Sequence, residues 1–246
     1  MFACLTPGAH AMSGHDRLEG PFGRGAAQVW LLLPPGAIRN VVVFGHGWKL
    51  FPPSRTHPWV GQFRPWLDHL AGHGAAVIFP RYQLGSGDVE GTAQVTAYEA
   101  GLRDGLGRLP ARAASHTPVI AVGYSFGASL AFTYAANAGR WRLPLPAAVD
   151  AVFPAGMISG APLPALAARV RVLIQVGDRD SEAGSVGASS FWAWLAGHPP
   201  PWKRYVVVHS AGGFVATHAA PKEAGSAARA AFWVPLDALI ATVDRE

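Results

Sequence analysis

Six short apolar runs dictate what this chain can become. They are RNVVVFG (39–45), AAVIFP (75–80), PVIAVG (118–123), AVDAVF (148–153), VRVLIQV (170–176) and RYVVVH (204–209). Their residues are β-branched and apolar with almost no polar alternation, which is how strands read when both faces are buried. QVWLLL (28–33), stopped by Pro34-Pro35, reads as a further strand antiparallel to the first of these. Helical spacing separates the runs. Val60, Phe63, Trp66, Leu67 and Leu70 recur three to four apart before Gly74, and Val95, Tyr98, Leu102, Leu106 and Leu109 do so before Pro110. Ser125–Ala138 and Ser189–Ala196 read as two more helices, and Ala227–Val243 as a last one that Pro235 kinks or splits. Alternating strands and helices imply an α/β fold, a mostly parallel central sheet covered by helices on both faces.

Right-handed crossovers place every strand-to-helix turn on one sheet edge, where open α/β sheets hold their sites. Gly45-His46-Gly47, Tyr82, Ser125, Asp178 with Asp180, and His209 all follow strand ends, so they are expected to converge. With 246 residues, half of them hydrophobic, the chain can bury one substantial core. The expected organisation is an N-terminal extension and lead-in over 1–26 and a single domain over 27–246.

Between one strand and the alanine-rich helix after it stands Gly123-Tyr124-Ser125-Phe126-Gly127, a G-x-S-x-G pattern. A serine held on a sharp strand-to-helix turn needs small neighbours two residues away on either side, and the glycines supply them. Such a serine needs a base to take its proton and a carboxylate to orient that base. In this architecture the order is serine, acid, histidine. VLIQVGDRDSEAG offers Asp180 in the loop as the favoured acid. Asp178, closer to the strand end, is an alternative that also suits a turn cap, and Asp150 inside the preceding strand is a third. VVVHSAGGFVATHAAP offers His218 in the last loop as the favoured base and His209 at the strand end as the alternative. Two backbone N–H groups are expected to face the developing oxyanion, those of Phe126 and of Trp48 in FGHGW. His46 then holds that loop by hydrogen bonds. Trp48, Phe51, Tyr82, Phe126 and Phe214 are candidates for an apolar wall beside Ser125, and the loop Lys49–Trp59 with Arg55 for its rim.

FGHGW, GYSFG, GDRD and the closing THAAP, with the strand spacing between them, make the chain resemble an α/β-hydrolase from about Gln28 onward. It is loosely similar to dienelactone-hydrolase-like, chlorophyllase-like and polyester-hydrolase-like members. The resemblance implies a serine hydrolase working through an acyl-enzyme on a small or surface-presented ester. The alternatives are an acyltransferase, thioesterase or amidase with the same triad, or a non-catalytic binding protein of the same fold. Tyr124 and Phe126 stand where lipase-like members commonly carry His and Met. Gly156–Arg169 is too short to hold a large helical cap, so an open site is expected.

The formal net charge is +5, but the basic residues are scattered. The densest pairs, Arg140/Arg142, Arg169/Arg171 and Lys203/Arg204, form no stripe with interleaved aromatics, so no nucleic-acid partner is expected. No HExxH-like spacing, cysteine pair, Walker motif or dinucleotide fingerprint occurs, so no metal and no cofactor is expected. No apolar run approaches the ~18–20 residues of a membrane span. One cysteine, Cys4, excludes an intrachain disulfide. The first residues lack the basic and apolar regions of a signal peptide, so a cytoplasmic location is the expectation. The oligomeric state is left open.

Overall fold

The computed structural model describes residues 18–48, 59–85, 91–111, 113 and 116–244. Eight strands form one sheet: β1 (Leu18–Phe22), β2 (Val29–Leu32), β3 (Asn40–Gly45), β4 (Ala75–Pro80), β5 (Val119–Tyr124), β6 (Ala148–Val152), β7 (Arg171–Gly177) and β8 (Lys203–Val208). Their order is β1-β2-β4-β3-β5-β6-β7-β8. The β1–β2 and β2–β4 pairs are antiparallel and the rest are parallel. β2 thus runs antiparallel to β3 as expected, but β4 lies between them.

The sheet begins earlier than the sequence suggests. LEGPF, within the stretch read as lead-in, pairs with β2 through Leu18↔Leu32, Glu19↔Leu31 and Phe22↔Val29. Its Gly and Pro give no strand signal of their own; the apolar edge of β2 recruits it.

Helices cover both faces. On one, α1 (Arg64–Gly72) packs on the final helix, where Trp66 stacks on Trp233, the residue just before α6 (Val234–Val243), at 5.8 Å between ring centroids. Phe44 joins this face to the sheet, with Phe63 and Trp66 each 5.2 Å from its ring. Such aromatic contacts add about 0.5–1.5 kcal/mol each beyond their buried area. On the other face lie α2 (Thr92–Gly107), α3 (Phe126–Trp141) and α4 (Val186–Trp194), with Phe132 of α3 stacked on Phe191 of α4 at 4.4 Å. α3 is buried almost along its whole length, which explains its alanines: a bulkier helix would not fit so close to the sheet.

The final helix runs continuously over 226–243, but α5 (Ser226–Ala228) is joined to α6 by a π-helical turn, Arg229–Trp233. Pro235 brings no N–H to the helix, and the widened turn just before it absorbs that loss without a break. By length and composition this helix is apolar enough to cross a membrane, a feature the run-by-run sequence reading does not detect. Its buried face, including Phe232, Trp233, Leu236 and Ile240, belongs to the hydrophobic core. Residues 153–170, between β6 and β7, contain no helix, so no cap stands there.

Candidate active site

Ser125 links β5 to α3 with φ 57° and ψ −123°, a conformation side-chain-bearing residues rarely adopt. Such strain costs on the order of 1–3 kcal/mol and persists only where surroundings fix it. Here they do. The Ser125 N–H donates to the Val152 carbonyl at 2.8 Å, and its carbonyl accepts from the Ala128 N–H at 2.9 Å. The two glycines of the motif are forced by contact. A Cβ on Gly123 would stand 2.2 Å from the Gly127 carbonyl oxygen, and one on Gly127 would stand 2.2 Å from that of Gly45. The second contact was not visible in the sequence: it presses the serine turn, backbone on backbone, against the loop after β3.

That loop is Gly45-His46-Gly47-Trp48. A Cβ on Gly47 would come within 2.8 Å of the Tyr124 ring and 3.2 Å of Ser125 Cβ, so only glycine lets the loop pass the serine this closely. His46 is fully buried, with Nδ1 2.6 Å from the Gly47 carbonyl and Nε2 2.6 Å from that of Arg81. It braces the loop, as expected. Tyr82 has a different place from the one expected. It lies buried beneath the loop rather than in an open wall, stacked on His46 at 4.2 Å, and its hydroxyl donates to the His46 carbonyl. Trp48 is half-buried, its ring edge-on to Phe126 at 5.3 Å. Phe126 is the first residue of α3, so its N–H has no partner within the helix.

The loops after β7 and β8 are locked to each other. The Arg179 N–H donates to the Ala216 carbonyl at 3.3 Å, and Asp178 N–H to the Val208 carbonyl at 3.0 Å. Here Asp180 Oδ2 meets His218 Nδ1 at 3.0 Å, both side chains nearly sealed from solvent. The other Asp180 oxygen, Oδ1, accepts from the N–H groups of Glu182 (2.8 Å) and Ala183 (3.2 Å), which fixes the carboxylate. With Nδ1–H donated to Asp180, Nε2 is left as the acceptor. His218 is seated on the serine turn: the Tyr124 hydroxyl donates to its carbonyl at 2.6 Å, and its ring lies 4.8 Å from that of Tyr124 and 5.2 Å from that of Phe153. Trp233 anchors the loop just beyond by donating its indole N–H to the Pro221 carbonyl at 2.9 Å.

The alternatives fall elsewhere. Asp178 accepts from the backbone N–H and hydroxyl of Ser210, which hold its carboxyl below the usual range; it caps the turn after β8. His209 is 76% exposed and 3.6 Å from Asp178. Asp150 lies fully buried in the sheet, 3.0 Å from the Gln175 amide nitrogen, and burial pushes its carboxyl up to about 8 despite that bond. Phe214 sits on a tight turn with Ala211 and lines a separate depression with Val215, Glu223 and Ala227. Phe51 and residues 49–58 of the Lys49–Trp59 rim, Arg55 among them, lie outside the described residues.

Two residues gain a role that sequence reading did not give them. Tyr124 has its phenol kept neutral by burial, with the Glu182 and Asp180 charges acting in the same direction. Phe153, fully buried with φ 52°, sets its ring under His218. Phe153 belongs to no motif and Tyr124 fills only a variable position of G-x-S-x-G; each role comes from a contact across the fold. Lys222 completes the surroundings, half-buried with its ammonium 5.3 Å above the Tyr124 ring; burial lowers its basicity, and Glu182 partly offsets that.

Compared with protein-family models, the chain matches none, and it matches no curated protein. Solved structures do match. Esterase B from Lactobacillus rhamnosis, inhibited by a tributyrin phosphonate, superposes with a TM-score of 0.67 at 16% identity over 93% of this chain and 86% of that one. Thermogutta terrifontis esterase 2, phosphoramylated by tabun, gives 0.66 at 16% identity over 95% and 96%. A putative thioesterase from Silicibacter gives 0.58 at 16% identity over 90% and 87%. Strand order, the serine turn after β5 and this likeness over nearly the whole length agree: the chain has the α/β-hydrolase fold.

Proposed function

We propose that this protein is a serine hydrolase that cleaves carboxylic esters through an acyl-enzyme. The observation that carries the reading is the Asp180–His218 pair, bonded at 3.0 Å and seated on Tyr124, the residue next to the strained Ser125. Ser125 Oγ attacks the ester carbonyl as His218 Nε2 takes its proton. Asp180 holds the imidazole in the required tautomer and stabilises the cation that forms. The N–H groups of Phe126 and Trp48 face the oxyanion. Collapse of the tetrahedral intermediate expels the alcohol, which takes the proton from Nε2. A water molecule then repeats the cycle on the acyl-enzyme and releases the acid.

The esterase neighbours carrying phosphonate or phosphoramidate groups support this reading. The neighbour described as a putative thioesterase supports a second one: the same acyl-enzyme formed from a thioester. Hydrolysis of p-nitrophenyl acetate, butyrate and octanoate by wild type and Ser125→Ala decides the matter. Turnover that disappears in the variant fits the proposal. An inert wild type that also resists a fluorophosphonate overturns it. A wild type that prefers acetyl or butyryl thioesters over the matching oxygen esters favours the second reading.

A further inference from the structure

Among the described residues, six large apolar side chains are conspicuously exposed, and four follow the carboxyl ends of strands, the edge that carries Ser125. They are Leu84 after β4 (52% exposed), Met157 after β6 (49%), Val186 after β7 (77%) and Val215 after β8 (51%). Three loops and the first residue of α4 each expose an apolar side chain to solvent beyond the strand ends of this one edge.

Met157 and Val186 form the centre of this set. Met157 follows β6, which pairs with β5, and Val186 opens α4 after β7, which pairs with β6. They are brought together because Gly187 lies on the backbone of the β6 loop: a Cβ there would be 2.1 Å from the Pro154 carbonyl oxygen and 2.6 Å from Gly156 N. The charges beside them argue about the partner. The loops after β7 and β8 expose Asp178, Glu182 and Glu223 against Arg179, with Lys222 half-buried, although the whole chain carries +5. Those carboxylates repel an anionic surface, whereas a neutral ester surface presents no like charge and costs only their partial desolvation.

We infer that Met157 and Val186, flanked by Leu84 and Val215, seat the catalytic edge on the surface of an aggregated neutral ester, so that Ser125 draws substrate from that phase. This rests on the ester-hydrolase reading, but adsorption is measurable without turnover. Ser125→Ala, with and without Met157→Ser and Val186→Ser, is sedimented with tributyrin emulsion droplets. In parallel, the same pair of substitutions in the active enzyme is assayed on emulsified tributyrin and on dissolved p-nitrophenyl acetate.

Removal of each apolar side chain is expected to weaken adsorption by roughly tenfold. The rate on the emulsion falls accordingly, while the rate on the dissolved ester is unchanged. Equal adsorption with and without the substitutions overturns the inference, as does an equal loss on both substrates. Stronger binding to phosphatidylglycerol vesicles than to the neutral droplets overturns it in favour of an anionic membrane. A concentration-dependent dimer abolished by the double substitution overturns it in favour of a second copy. If wild type hydrolyses neither ester yet adsorbs through these residues, it is the hydrolase reading that fails.

Discussion

The carbonyl oxygen of Ala216 lies against Gly177 so closely that a methyl group on that glycine would stand 2.1 Å away from it. Gly177 ends β7 three residues before Asp180, and Ala216 precedes His218 by two. The contact therefore sets the distance between Asp180 and His218, the acid and base of the proposed mechanism. Gly177→Ala is expected to separate the two loops. Stability should fall by about 1–3 kcal/mol, the range for overpacking, while ester hydrolysis falls by a larger factor than that loss of folded protein explains. Urea unfolding and kcat/KM on one preparation check this. A fully active variant would mean the loops are held together from elsewhere.

The choice between the two aspartates is open to direct measurement. Asp180→Asn leaves His218 with the wrong tautomer favoured and should lower kcat by about 10⁴-fold, as in a well-studied serine protease. Asp178→Asn weakens only the cap on Ser210, so activity should stay within a few-fold of wild type. Likewise His218→Ala should abolish turnover and His209→Ala, an exposed site, should not. Reversal of either pair would move the catalytic acid or base to the other residue.

Asp150 makes stability depend on pH. Its carboxyl is raised from 3.8 to about 8 in the folded protein. The folded chain therefore keeps a proton that the unfolded chain releases near pH 4. The stability this group contributes is complete below pH 4 and is lost as pH rises towards 8, by about 1.4 kcal/mol per pH unit at the steepest. Asp150→Asn removes the titration, and its amide has the unpaired Gln175 Oε1 within the same pocket to pair with. The variant should gain stability relative to wild type between pH 5 and pH 8. Thermal melts that stay parallel over that range would contradict the assignment.

In the proposed mechanism Tyr124 seats His218 rather than reacting. Tyr124→Phe removes the 2.6 Å bond to the His218 carbonyl and keeps the ring beneath the imidazole. A loss of about 1 kcal/mol in stability is expected for one buried hydrogen bond. The catalytic readout is kcat, which should fall several-fold with KM nearly unchanged, because the bond places His218 and touches no substrate. A change confined to KM would instead put the phenol in the binding pocket.

Much of this was legible in the residues. The apolar runs announce seven of the strands, since their burial on both faces leaves a continuous signal. The order of Ser125, Asp180 and His218 follows from where strands end. β1 was not legible, because LEGPF is a strand only by virtue of its neighbour. The π-helical turn hides in an unbroken helical pattern, and only Pro235 hints at it. Tyr82 and Phe214 show the limit of reading aromatics near a site: both follow strand ends, yet one turns under the loop after β3 and the other into a separate depression. Sequence locates a loop, whereas the direction a side chain takes from it depends on partners far along the chain.

The seam between Gly45 and Gly127 has a consequence for how such a protein changes its substrate. Both surfaces are bare main chain, so no side chain exists there to be exchanged, and any addition forces the start of α3 away from the end of β3. The loop after β3 and the serine turn must therefore be inherited as one piece. New specificity has to be written into the loops after β4, β6, β7 and β8, where substitutions alter what the site touches without disturbing how it is assembled.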